Sequence, residues 1–292
     1  MKMRVMILVA LLCIIAVMLV CFVYTPAYFK ISKLNEAIRT ENINDVEQIL
    51  KESNLNLNKK GGSFIASLIS SECSMQTPFE AAAGCGNKEI MTALIEYGAS
   101  PEIDGENLLY WLIDAYGFED DPEFLLYLIE NGAKCDVEEG EHSPLLAAAS
   151  MKPLGKTGRY DEEGSEKVLM LYKLLAAHST DQCPRDSEDG DTPLHRAALY
   201  GNPDLINYLI DEQNLSVNEQ NSSGLTPLCL ALKDSYDKRN LVPTVTALLE
   251  HNADITLEDK DGKNALDYAK TADASSDLGL VKMISKGAPS IK

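Results

Sequence analysis

The chain has 292 residues, 45 of them Asp or Glu against 26 Lys or Arg, for a formal net charge of −19 at pH 7. Lys2 and Arg4 are the only charges in the first 29 residues, so the remainder sets 24 basic against 45 acidic residues. That balance excludes nucleic acid as a partner, because phosphate binding needs basic surface. With six Phe, one Trp and twelve Tyr, a core has to be filled by Ala- and Leu-rich helices rather than by large aromatics.

After a tail of residues 1–4, Val5 to Tyr24 is an uncharged apolar run. At about 1.5 Å per residue it reaches across a hydrocarbon layer of about 30 Å. A cleaved secretory signal carries an apolar region of only about 7–15 residues, so 5–24 predicts a retained transmembrane signal-anchor helix, followed by a linker at 25–31. Cleavage remains the competing reading, and lipidation at Cys21 is disfavoured by Val20 before it. Basic residues nearly balance across the run, with Lys2 and Arg4 before it and Lys30, Lys33 and Arg39 after it. The short tail therefore decides orientation: a single-pass protein with a cytoplasmic N-terminus and residues 32–292 in the periplasm.

From Ser32 to Asn58 the pattern Leu34, Ala37, Ile38, then Val46, Ile49, Leu50 predicts a helix pair. Beyond it one pattern recurs, led by Thr77-Pro78-Phe79, Asn107-Leu108-Leu109, Ser143-Pro144-Leu145, Thr192-Pro193-Leu194, Thr226-Pro227-Leu228 and Asn264-Ala265-Leu266. The starts are separated by 30, 36, 49, 34 and 38 residues. Each lead opens a short helix. A second helix follows and ends at Gly or Asn: Ile90, Leu94 and Ile95 before Gly98, Leu125, Leu128 and Ile129 before Gly132, Val245, Leu248 and Leu249 before Asn252. The i, i+3, i+4 spacing makes one apolar face, and Gly or Asn tolerates the left-handed stop. Leu280 to Ala288 closes the last copy.

The spacing and the stretch Asp191-Thr192-Pro193-Leu194-His195-Arg196-Ala197-Ala198 resemble the ankyrin-repeat family, most closely over 188–270 and fairly over 75–149. Read as a bacterial-type, membrane-anchored member, the chain has an expected all-α architecture. It comprises an ankyrin-repeat solenoid of about seven helix pairs with short β-hairpin fingers, the terminal pairs acting as caps. The resemblance implies that Thr192 caps a helix and bonds His195, and that Ala197 and Ala198 permit close packing. Glu80, Tyr110, Leu146, Cys229 and Asp267 stand at the His position elsewhere, so the Thr–His pair is complete only at 192. Leu112-Ile113 replaces Ala-Ala beside Trp111, which predicts wider packing or a shifted helix.

Catalytic constellations are absent from the sequence pattern. The four histidines lack metal-ligand spacing, no C-x-x-C occurs, and Gly84-Cys85-Gly86 reads as an interhelical turn rather than a phosphate loop. No enzyme activity, cofactor, metal or small-molecule substrate is expected. Cys73 and Cys85 are the one close cysteine pair outside the apolar run, and whether they join is left open.

Acidic residues gather at the finger positions: Asp104 and Glu106, Glu139 with His142, Glu188, Asp189 and Asp191, then Lys260-Asp261. Turn chemistry and solubility explain part of this, and an acidic comb that attracts a basic protein explains the rest. The family resemblance adds the two positions after the Ala pair, including Asp114, Leu199 and Tyr200, with Leu199 and Tyr200 as the apolar anchor and burial of Leu199 beneath a neighbouring helix as the competing reading. Insertions at 115–122, 151–165 and 233–243 fall between first and second helices. The expected function is a membrane-anchored interaction protein that binds and neutralises a basic partner, as an immunity-type protein would. The alternative is an envelope scaffold or stress-protection factor supporting a membrane or periplasmic complex.

Overall fold

The computed structural model describes residues 30–59, 76–103, 107–116, 121–137, 142–153, 162–236, 238–276 and 279–286. It separates into two compact units, Met1–Asp104 with Asn131–Ala133, and Gly105–Glu130 with Lys134–Lys292. Among the described residues the chain forms fourteen helices in seven pairs and no β-strand element.

In the first unit, residues 30–39 (α1) are followed by α2 (Ile43–Glu52), α3 (Pro78–Gly84) and α4 (Lys88–Glu96). Asn42 and Asn87 cap the second helix of each pair by accepting from the amide three residues on. At α3 the Thr77 hydroxyl accepts from the Glu80 amide at 3.1 Å while Glu80 Oε2 accepts from the Thr77 amide at 2.6 Å. Glutamate thus closes the same box that histidine closes elsewhere. Leu34, Ile38, Val46 and Leu50 are buried, as are Phe79, Ala81–Ala83, Ile90, Met91 and Leu94. The Asn35 amide bridges the two pairs by donating to the Gln76 carbonyl at 3.0 Å.

The second unit holds α5 (Leu108–Tyr116), α6 (Pro122–Glu130), α7 (Pro144–Ala149), α8 (Glu162–His178), α9 (Pro193–Tyr200), α10 (Pro203–Asp211), α11 (Pro227–Asp234), α12 (Leu241–Glu250), α13 (Ala265–Ser276) and α14 (Leu280–Lys286). First helices contact first helices of the next copy (α5, α7, α9, α11, α13), and second helices do the same along α6, α8, α10 and α12. Ser143, Thr192 and Thr226 cap their helices with proline in the first turn, where a missing N–H costs nothing. Ala148, Ala149, Ala197, Ala198 and Ala231 are fully buried between neighbours.

The repeat at 107 keeps its register and is not shifted. Leu112 and Ile113 are buried at the alanine positions. Asn107 serves both ends of the junction: its Oδ1 accepts from the Leu109 and Tyr110 amides at 3.0 and 3.1 Å, and its Nδ2 donates to the Lys134 carbonyl at 2.9 Å.

Two expectations are corrected. Among the described residues no helix is long and apolar enough to cross a membrane, so the transmembrane signal-anchor helix is not supported, nor is the single-pass localisation that placed the repeats in the periplasm. The segment assigned to it, 5–24, lies outside the described residues. Among the described residues the longest helix, α8, has 17 residues and carries Glu162, Glu163, Glu166, Lys167 and Lys173, with Val168, Leu171, Tyr172 and Leu175 buried. That is a surface helix of a stacked array rather than a lipid-facing one. The three described fingers at 186–191, 221–225 and 259–263 are tight turns rather than the expected β-hairpins, each closed by two backbone hydrogen bonds.

Candidate functional site

The most family-like residues are structural. His195 is fully buried. Its Nε2 lies 2.9 Å from the Leu225 carbonyl, which can only accept, so Nε2 carries the proton. Nδ1 is then the acceptor and meets the Thr192 hydroxyl at 2.8 Å. Burial moves the His195 pKa below the usual histidine value, although the Leu225 carbonyl and the Asp191 charge pull the other way. A neutral imidazole therefore pins one repeat to the loop of the next.

The finger at 186–191 shows where its acids go. Asp186 Oδ1 accepts from the Glu188 and Asp189 amides at 2.9 and 3.0 Å, and its amide donates to the Asp191 carbonyl at 2.9 Å. Asn221 and Asp259 play the same turn-making part in the next two fingers. Burial opposes the Asp186 charge, but the two amides and Arg196 outweigh it and its pKa falls below the usual range. Arg196 pairs with Asp186 at 3.0 Å and with Asp191 at 3.4 Å. Asp191 is itself buried and accepts from the Asn221 amide group at 2.7 Å. It holds the two fingers together beneath their exposed tips.

Stacked in register, the tips read Glu188-Asp189, then Ser222-Ser223, then Lys260-Asp261, all exposed. The Ser222 amide donates to the Asp189 carbonyl at 2.8 Å and the Lys260 amide to the Ser223 carbonyl at 3.1 Å, which fixes that order. The middle tip is neutral, so these fingers do not form a continuous acidic comb. Asp104, Glu106 and Glu139 lie outside the described residues. His142 is exposed and stacks on Tyr110 with ring centroids 4.8 Å apart. Asp114 is exposed at the end of α5, near enough to raise the Tyr200 pKa after burial and Tyr236 have done so.

Leu199 is buried, with only 7% of its surface exposed, so it offers a partner little apolar area. Its carbonyl accepts from the Tyr236 amide at 3.1 Å. That bond draws the loop after α11 back onto α9 and lays Tyr236 against Tyr200, centroids 4.8 Å apart and planes at 28°. Tyr200 is half-buried by this contact, whereas Tyr236 remains 60% exposed. Lys152 Nζ sits 5.6 Å from the Tyr236 ring centroid. Beside the pair, a groove of about 380 Å³ runs to the fingers, with Leu199, Leu225 and Leu230 below and Asp189, Ser223, Lys233 and Asp234 on its rim. Tyr236 and Lys152 were missed in the sequence because both lie inside insertions. The available signal was an aromatic residue in a segment that the repeat pattern did not require.

Residues 163–259 match the family model described as ankyrin repeats in three copies. The chain is 31% identical over 113 residues to the E3 ubiquitin-protein ligase KEG of Arabidopsis thaliana, a match covering 39% of this chain and 6% of that protein. It is 28% identical over 121 residues to the BTB/POZ domain and ankyrin repeat-containing protein NPR3 of Oryza sativa, covering 39% of this chain and 20% of the relative. The chain thus spans only a small part of the length of either relative. The crystal structure of the ankyrin repeat domain of Bcl-3 superposes with a TM-score of 0.57 at 19% identity, covering 86% of this chain and 97% of that one. Nothing in these matches supports the bacterial-type, membrane-anchored character expected from the sequence. Such domains are generally non-catalytic interaction modules. Residues 163–259 match the ankyrin-repeat model, and the chain has the fold of the ankyrin repeat domain on which it superposes.

Proposed function

We propose that this chain is a protein-interaction module whose working surface is the groove between the 186–191 and 221–225 fingers and the Tyr200–Tyr236 pair, and that its partner presents a basic segment. The observation that carries this reading is Tyr236. Large aromatics left in water normally keep their rotamer freedom and lose it on binding, whereas this one is held by a backbone hydrogen bond and a stacked ring before any partner arrives. A fixed, exposed tyrosine beside a groove with a leucine floor and a mostly charged and polar lining has the character of a binding hot spot. Exposed Glu188, Asp189 and Asp234 near the groove favour a cationic partner, as does the net charge of −19. Covering such a segment would neutralise the partner, with no catalytic group involved.

A benzophenone side chain in place of Tyr236, compared with one in place of the exposed Glu250 on α12, tests the surface in cells that produce the protein. The expected result is a partner crosslinked from 236 and not from 250, and at least about tenfold weaker binding of that partner by Tyr236→Ala. Equal capture from both positions, or binding unchanged within twofold by Tyr236→Ala, overturns the reading.

A further inference from the structure

Lys152 lies beyond α7, in a different insertion from Tyr236, yet its ammonium sits 5.6 Å from the Tyr236 ring centroid, within cation–π range. Its ammonium makes no ion pair among the described residues, and the side chain is exposed. One face of the ring is taken by Tyr200, so the cation uses the remaining open ring surface. Asp189, Asp191 and Asp234 line the adjoining groove together with Arg196 and Lys233; Asp191 is engaged by Arg196 at 3.4 Å and Asp234 by Lys233 at 3.6 Å, whereas Asp189 has no ion pair among the described residues. The chain itself therefore demonstrates what the seat accepts.

We propose that the open face of Tyr236 is a seat for an arginine of the partner segment, and that Lys152 is its resident occupant, which the arginine displaces. This rests on the docking reading above and adds the chemistry of the occupant and an intrinsic competitor. Arginine is favoured over lysine as the incoming group because its planar guanidinium stacks on the ring while its remaining N–H groups stay free for Asp189 and Asp234. Displacement is cheap, since Lys152 returns to water as a solvated ammonium.

The probe is an acetylated, amidated hexa-arginine peptide with a fluorescent label, titrated with the full chain by anisotropy at about 0.15 M salt. Tyr236→Ala leaves the net charge unchanged, so non-specific attraction to an acidic protein is preserved and a loss reports the ring alone. Expected are binding weakened about fivefold by Tyr236→Ala, binding within twofold of wild type for Tyr236→Phe, and binding tightened about threefold by Lys152→Ala. Lys282→Ala, which removes one positive charge from the exposed side of α14, controls for charge and should change affinity by less than about 1.5-fold. Tyr236→Ala binding the peptide as wild type does, or Lys152→Ala binding no more tightly than Lys282→Ala, overturns the proposal. If the 236 crosslink captures a partner while the peptide ignores the ring, the docking surface stands and the arginine seat falls. If the crosslink also fails, both fall.

Discussion

Replacing His195 with alanine removes a buried side chain that ties the 192 repeat to the Leu225 carbonyl of the next copy by one hydrogen bond and holds the Thr192 hydroxyl of its own repeat by another. The Leu225 carbonyl, on a residue only 3% exposed, loses the Nε2–H donor 2.9 Å away, and the Thr192 hydroxyl loses its partner at 2.8 Å. The carbonyl keeps its bond from the Asn221 amide at 3.0 Å, so the cost is one lost buried hydrogen bond, about 0.5–1.5 kcal/mol, plus the space left by a fully buried ring, and a loss of about 2 kcal/mol is expected. The pH response gives an independent check. Burial lowers the folded-state pKa, so the unfolded chain binds the proton more readily; the His195 contribution is complete above the unfolded value of about 6.5 and is lost as pH falls below it. Between pH 7 and 5.5 that loss is at most about 1.3 kcal/mol. Urea unfolding followed by circular dichroism at both pH values measures both quantities. A variant that loses less than about 1 kcal/mol at pH 7, or that keeps the wild-type decline toward pH 5.5, would refute the account of His195 as a neutral inter-repeat pin.

Asp136 accepts from the Ser179 hydroxyl at 2.6 Å and from the Thr180 amide and hydroxyl at 2.8 and 2.7 Å; burial opposes its charge, but these bonds outweigh it and lower its pKa. Asp136→Ala should therefore cost about 1–3 kcal/mol at pH 7, and the difference from wild type should shrink below about pH 3.8 in acid titration, where protonation removes the same bonds. Gly224 has φ +78°, and a Cβ there would lie 3.0 Å from the Lys260 amide nitrogen and 3.1 Å from Asp259 Cα, both backbone atoms. Gly224→Ala should lower stability by about 1–3 kcal/mol and raise hydrogen exchange at the Lys260 amide; unchanged exchange there would show that the fingers are not locked to one another.

Much of the fold was legible because its rules are local. Thr192, Thr226 and Ser143 cap amides three residues on, proline fills the first turn, and the left-handed stops at Gly98, Gly132 and Asn252 depend on one residue's φ. The helix pairs followed directly from these signals. The site was legible only in part. Sequence offered Leu199 and Tyr200 as an apolar anchor, with Leu199 packed beneath a neighbouring helix as the competing reading; stacking of α9 on α11 buries Leu199 and leaves Tyr200 half-covered by Tyr236. Counting acids at the fingers overstated the comb, because Asp186 and Asp259 make turns and Asp191 answers Arg196.

The amino-acid sequence by itself determined that this is an acidic array of paired helices with turns between them, since capping, periodicity and glycine stops act within a few residues of chain. Only the tertiary structure decided which acids face water and which aromatic residue is held ready for a partner. Those outcomes depend on contacts between residues some thirty to eighty positions apart, such as Asp191 with Asn221, Leu199 with Tyr236 and Lys152 with Tyr236. Repeat stacking brings these residues together while the local pattern around each of them stays the same.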